Sequence, residues 1–263
     1  MHVESTKHRV RTGSASKLIA ALGIDKGIVS FVGAGGKKSA MMRIAESYPG
    51  RVAITATAHI ERFPRRYRDC SVLADGEALY AGVRALRNSR VVAFAQSCDM
   101  PGRHAGVASD DLLTLFNEGE FDLCVVKADG ARGRVIKAPA EHEPPVSPHS
   151  HLVVGVVSAR AIGMPLTENL AHRPERVAAV SGAQLGEPLT PLHIARLISS
   201  DQGLLKNTGT IPFVPLINMV DDAEREQLAR EAALQALKMT TRFDRVVLAS
   251  MKRDEPLVAV VRR

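Results

Sequence analysis

The chain has 263 residues, 45% of them hydrophobic, and a formal net charge of +7. That length suits one large α/β domain, or one domain with a small extension, and no apolar run approaches the roughly 18 residues a membrane helix needs. Three scattered cysteines, Cys70, Cys98 and Cys124, with no C-x-x-C pair, argue against a disulfide framework or structural zinc and fit a reduced cytoplasm.

Residues 1–26 read as an N-terminal extension with a short helix-like piece. They are basic but lack the sustained apolar core of a secretory signal. From residue 27 onward, strand-like runs alternate with helical patterns. The strands are expected at Gly27–Val32, Arg51–Ala56, Val91–Ala95, Asp122–Lys127, His151–Val157, Ile211–Asn218, Arg245–Ala249 and Leu257–Val261. Most are near-continuous Val/Ile/Leu runs, the pattern of strands covered on both faces. Helices are expected at Lys38–Ser47, Gly76–Asn88, Asp110–Glu118, Pro174–Gln184, Thr190–Ser200 and Asp222–Lys238. Pro174 and Pro191 stand where a first helical turn tolerates proline, and Asp222 places a carboxylate at a helix N-terminus. The alternation predicts a mostly parallel, doubly wound sheet over residues 27–263, with a helical portion near residues 160–205. Arg132 to Ser150 breaks the pattern, being rich in Pro, His and charge, and long irregular segments of this kind are often functional. The basic cluster Arg62-Phe63-Pro64-Arg65-Arg66-Tyr67-Arg68 has no interleaved aromatic platform, so a nucleic-acid role is not favoured.

The most informative junction lies between the first strand and the first helix of this domain, where Gly33-Ala34-Gly35-Gly36-Lys37-Lys38-Ser39 follows an apolar run. Glycines admit close approach of an anion to backbone N–H groups, a helix N-terminus presents those groups with a positive dipole end, and a lysine adds a point charge. The order is what triphosphate binding requires. The match to G-x-x-x-x-G-K-[ST] is partial: Phe31 holds the first glycine's place, and Lys38 replaces the hydroxyl that would contact Mg²⁺, with Ser39 one residue later. A tight glycine turn between strand and helix is the alternative reading. Asp129, in an Asp-Gly pair at the tip of the fourth predicted strand, is a candidate Mg²⁺ ligand together with Ser39; a plain turn is again the alternative. Asn218-Met219-Val220-Asp221 is similar to the Asn-Lys-x-Asp segment that reads guanine in GTP-binding proteins, with Met219 replacing the lysine, and Ser250 follows the strand that would complete the base pocket. A helix-capping loop Asp competes with that reading.

Taken together, "FVGAGGKKS", "AITATAHI", "KADGARGRVIKAPAEHEPPV", "LVVGVVSARAIGMPL", "HRPE" and "LINMVD" resemble the YqeC-like proteins over about Gly27 to Ala249, most specifically from Ala128 to Pro144. The resemblance implies a P-loop NTPase-type fold and a nucleoside triphosphate, GTP or ATP, bound with Mg²⁺. It also implies an accessory role in maturing molybdenum hydroxylases that carry selenium, or in making their selenium cofactor. Gly33, Gly35, Gly36 and Lys37 match the family loop, and Asp129, Gly130, Lys137, Pro139, Glu141 and His142 match its second segment. Lys38 stands where Thr is usual, His59 where Lys is common, and Lys127 where Glu is frequent. Asp129, Lys137, Glu141 and His142 are the candidate catalytic residues: the carboxylate and imidazole to orient water or a substrate, Lys137 or Arg132 to neutralise charge. Two other classes remain open: a small-molecule kinase acting on a cofactor precursor through the same loop, and a non-hydrolysing binding module, a chaperone or a nucleic-acid binder.

Overall fold

The computed structural model describes residues 15–263. The predicted extension therefore lies largely outside the described residues, and its described part is helix α1 (Ser16–Leu22). The chain continues through β1 (Gly27–Gly33), α2 (Lys37–Ser47), β2 (Val52–Ala56), β3 (Ile60–Glu61), β4 (Ser71–Leu73), α3 (Glu77–Ala85) and β5 (Val91–Ala95). Next come β6 (Arg103–His104), α4 (Ser109–Glu118), β7 (Leu123–Lys127), β8 (Ile136–Lys137), β9 (Leu152–Ser158) and β10 (Ala171–His172). The C-terminal part is α5 (Pro174–Ser181), α6 (Pro191–Ser199), β11 (Phe213–Asn218), α7 (Ala223–Met239), β12 (Arg245–Ala249) and β13 (Leu257–Arg262).

Nine strands form one sheet in the order β13-β12-β11-β9-β1-β7-β2-β5-β4, and only β13 runs antiparallel to its neighbour. All eight predicted strands take part. The ninth, β4, is a three-residue edge strand with no fully buried position, which is why its sequence lacks an apolar run. Residues of β1 alternate between the two faces: Val29 and Phe31 pack with α1 and α2, while Ile28 and Val32 pack on the opposite side. That opposite side is shared by α3 and α4 over one half and α5, α6 and α7 over the other. With both faces covered, every residue of β1, β9 and β11 is buried, as near-continuous apolar runs require.

Local signals set the helix starts. Asp222 accepts the Arg225 backbone N–H at 2.8 Å and caps α7. Thr190 accepts the His193 backbone N–H while His193 Nδ1 accepts the Thr190 N–H, a reciprocal box before Pro191. The predicted helical portion near 160–205 contains α5 and α6. It also holds β10, which pairs with β8 in a small parallel ribbon and so ties residues 136–137 to residues 171–172.

For the site, the sheet's centre matters most. β1 sits between β7 and β9, and chain connections leave it toward both edges. The carboxyl ends of β1, β7, β9 and β11 therefore face one crevice, where open α/β sheets bind ligands.

Candidate functional site

At the end of β1 the chain turns through Gly33, Gly35 and Gly36, with φ of 89°, 95° and 96°. A Cβ on Gly33 would lie 2.2 Å from the Val156 carbonyl oxygen, and one on Gly36 would lie 2.5 Å from Asn218 Nδ2. These glycines are needed both for the left-handed backbone and for the close approach of β9 and β11. Two loop amides are spent on the protein itself: Gly33 N–H donates to Asp129 Oδ2 at 3.0 Å, and Ala34 N–H to the Val156 carbonyl at 2.9 Å. The N–H groups of Gly35, Gly36, Lys37 and Lys38 have no partner among the described residues. They open the eleven-residue helix α2 with no side-chain cap, the arrangement that suits an anion at a positive dipole end.

Beneath the loop lies a buried ionic chain. Asp129, Lys37 and Lys137 are 1%, 5% and 1% exposed. Lys37 Nζ lies 2.8 Å from Asp129 Oδ1 and also donates to the Gly33 carbonyl. Lys137 Nζ lies 2.9 Å from Asp129 Oδ2 and donates to the Gly130 carbonyl at 2.7 Å and to Glu143 Oε2 at 2.9 Å. Arg173 closes the chain, its guanidinium donating to Glu143 at 2.6 Å. Burial alone would raise the Asp129 carboxyl pKa, but the two ammonium groups reverse this and hold it below the usual range. Glu143 behaves alike: burial is outweighed by Arg173 and Lys137, and its pKa falls to about 2.

This arrangement brings Asp129, Lys137 and Lys37 together. Glu141 and His142, the other two candidate catalytic residues, are exposed, and the carboxylate that meets Lys137 is that of Glu143. Ser39 lines a separate cavity of about 350 Å³ on the flank of α2, with Lys38, Arg43, Arg66 and Met251. Ser39 and Asp129 thus do not line one cavity, and each Asp129 oxygen already faces an ammonium. Among the described residues no three His, Cys, Asp or Glu side chains converge as a metal set. The donor set present does not fit Mg²⁺ at Asp129.

Outside the loop, a cavity of about 260 Å³ is lined by Ala34, Gly35, Gly36, Lys37 and Lys38 on one side and by Lys127, Arg132, Arg134 and Arg103 on the other. Lys38 Nζ reaches Glu61 at 3.3 Å and the Arg62 carbonyl at 3.1 Å. Lys127, at the tip of β7, donates to the His59 carbonyl at 2.6 Å. Burial, helped by neighbouring Lys37, lowers its pKa to about 8. A lysine with a lowered pKa is cationic below that value and neutral above it. The affinity of this cavity for a polyphosphate is therefore expected to hold near pH 7 and fall as pH rises through about 8, by up to roughly tenfold per unit. Titrations of tripolyphosphate between pH 7 and 9.5 check this, and Lys127→Met should remove the slope.

The Asn218–Asp221 segment packs against the same loop. Asn218 Nδ2 donates to the Gly35 carbonyl at 2.8 Å, and its Oδ1 is buried with no hydrogen-bond partner among the described residues. Met219, with φ of 61°, lines the 260 Å³ cavity. Asp221 accepts from Ser250 Oγ at 2.7 Å and from Lys252 Nζ at 2.9 Å. The contact with Ser250 brings two of the predicted base-site residues together, and Lys252 is a partner that sequence spacing did not single out.

Comparison with known proteins agrees with the motif resemblance. Residues 29–175, more than half of the chain, match the model of the family described as YqeC protein. The chain is 29% identical over 202 residues to the uncharacterized protein YqeC of Escherichia coli (strain K12), an alignment covering 73% of this chain and 76% of that protein. The glycine loop, the Asp129 strand tip and the Lys137 segment all fall within the matched residues, and the chain belongs to the YqeC family.

Proposed function

We propose that the chain binds a nucleoside triphosphate, GTP or ATP, at the Gly33–Lys38 loop and serves as an accessory protein in maturing a selenium- or molybdenum-containing hydroxylase. The single observation that carries the nucleotide part is the run of unpartnered N–H groups at Gly35 to Lys38, opening α2 into a cavity walled by cations. The client class comes from the family resemblance. No helix among the described residues is long and apolar enough to cross a membrane, and the three cysteines are free, in keeping with action in a reducing cytoplasm.

In this reading the loop amides take phosphate oxygens, and Lys37 turns from Asp129 toward them. Asn218 holds the loop through the Gly35 carbonyl, so its position reports whether the loop is set for a ligand. Asp221, kept ionised by Lys252 and Ser250 against the effect of burial, would accept from a base by giving up one of those partners. Calorimetric titration of the purified chain with ATP and GTP tests the proposal, and no heat with either nucleotide would reject it. Asp221→Ala is expected to bring the two affinities within about threefold of each other. A GTP preference that survives the substitution would remove Asp221 from base reading. Steady phosphate release stimulated by an apo-hydroxylase would identify an NTPase, and nucleotide binding without release would identify a binding module.

A further inference from the structure

Resting on the nucleotide reading, a more specific statement about the ligand follows from the charges around it. The cavity outside the glycine loop is lined by Lys37, Lys38, Arg103, Lys127, Arg132 and Arg134 against one carboxylate, Glu61, which Lys38 already meets at 3.3 Å. A free triphosphate carries roughly four negative charges at neutral pH, because its terminal phosphate ionises a second time near pH 6. Six cationic side chains with one carboxylate are enough to balance even that free form. A Mg²⁺ chelate has about half the charge and would leave the cavity over-positive.

The wall beneath the loop supports the same conclusion. When Lys37 turns outward to a phosphate, Asp129 loses the ammonium at Oδ1 and keeps the partners of Oδ2. Its Oδ2 still accepts from Gly33 N–H at 3.0 Å and faces Lys137 Nζ at 2.9 Å. Lys137, with a fully buried side chain, is in turn fixed by the Gly130 carbonyl and by Glu143. A divalent ion drawn to Asp129 would have to shed tightly held water and sit beside the buried Lys137 ammonium fixed at Oδ2, like charge against like charge. We infer that this site takes its polyphosphate ligand free of metal, with side-chain ammonium and guanidinium groups filling the role that Mg²⁺ has in most nucleotide sites. Lys127, Arg132 and Arg134 then act as phosphate ligands, and Lys137 acts as a positioning residue that keeps Asp129 occupied.

The test compares affinities of the full chain for ATP, GTP and inorganic tripolyphosphate by calorimetry, once in excess EDTA and once in excess MgCl₂. The expected result is binding in EDTA that is equal to, or tighter than, binding in Mg²⁺. Lys127→Ala and, separately, Arg134→Ala should weaken binding in EDTA by about tenfold and binding in Mg²⁺ by less. Using two variants guards against misfolding of one, and circular dichroism confirms each fold. A gain of more than threefold on adding Mg²⁺ would overturn the inference while leaving the nucleotide reading intact. Absence of binding in both buffers would overturn the two together.

Discussion

Asp129→Asn is expected to cost about 3–5 kcal/mol of stability. The change keeps the shape of the side chain and removes only its charge. What it leaves behind is the source of the cost: Lys37 and Lys137, each at most 5% exposed, would face a neutral amide. Glu143 can compensate Lys137, from which it accepts at 2.9 Å, but it also serves Arg173. Lys37 would keep only the Gly33 carbonyl. For a chain of this size such a loss corresponds to a fall of roughly 10 °C in melting temperature. Thermal unfolding of wild type and variant at pH 7 measures it, and a fall below about 2 °C would mean that the ammonium groups find water or another partner. The double variant Asp129→Asn with Lys137→Met provides the internal check. Removing one stranded charge along with its partner should recover part of the loss, because an apolar side chain of similar volume carries no desolvation penalty.

How much of this network could be seen in the sequence depends on whether local or distant contacts decide each residue's placement. The junction of β1 and α2 was legible because strand, glycine turn, lysine and helix are contiguous, and each signal is local. The sheet was legible because burial on both faces leaves near-continuous apolar runs. Asp129 stood out as a carboxylate ending such a run. Glu143 did not. It sits two residues beyond Glu141 in an irregular segment, where no periodicity tells inward from outward side chains. Its orientation is set by Lys137 on β8 and Arg173 just after β10, and those are brought together by the β8–β10 ribbon. Glu141 and His142, as polar and as close in sequence, lie exposed on the same turn. Lys252 was missed for a related reason: a charged residue in a turn looks solvated until β12 and β11 pair and carry it to Asp221. Charge partners separated by dozens of residues depend on topology, and topology is what apolar patterning leaves least determined.

Lys37→Met should separate binding from folding in the opposite sense to Asp129→Asn. Methionine fills much the same volume without charge, and Asp129 keeps Lys137 and the Gly33 N–H as partners. The fold should survive with a modest change in stability. Affinity for nucleotide should drop by about 10- to 100-fold, the worth of about 1.5–3 kcal/mol for a charged hydrogen bond to phosphate. Asp129→Asn, by contrast, frees the Lys37 ammonium from its competitor and should bind polyphosphate at least as tightly as wild type wherever it remains folded. In wild type the stowed ammonium must first leave Asp129, and the apparent affinity is reduced by the fraction of molecules in which it has done so. Calorimetry on the two variants at one temperature, below the melting point of both, reads these opposite shifts directly. Equal weakening in both would mean that Lys37 acts on the ligand only by holding Asp129 and the loop in place. Weakening in Lys37→Met alone identifies its ammonium as the phosphate ligand, with Asp129 as the seat it occupies while the cavity is empty.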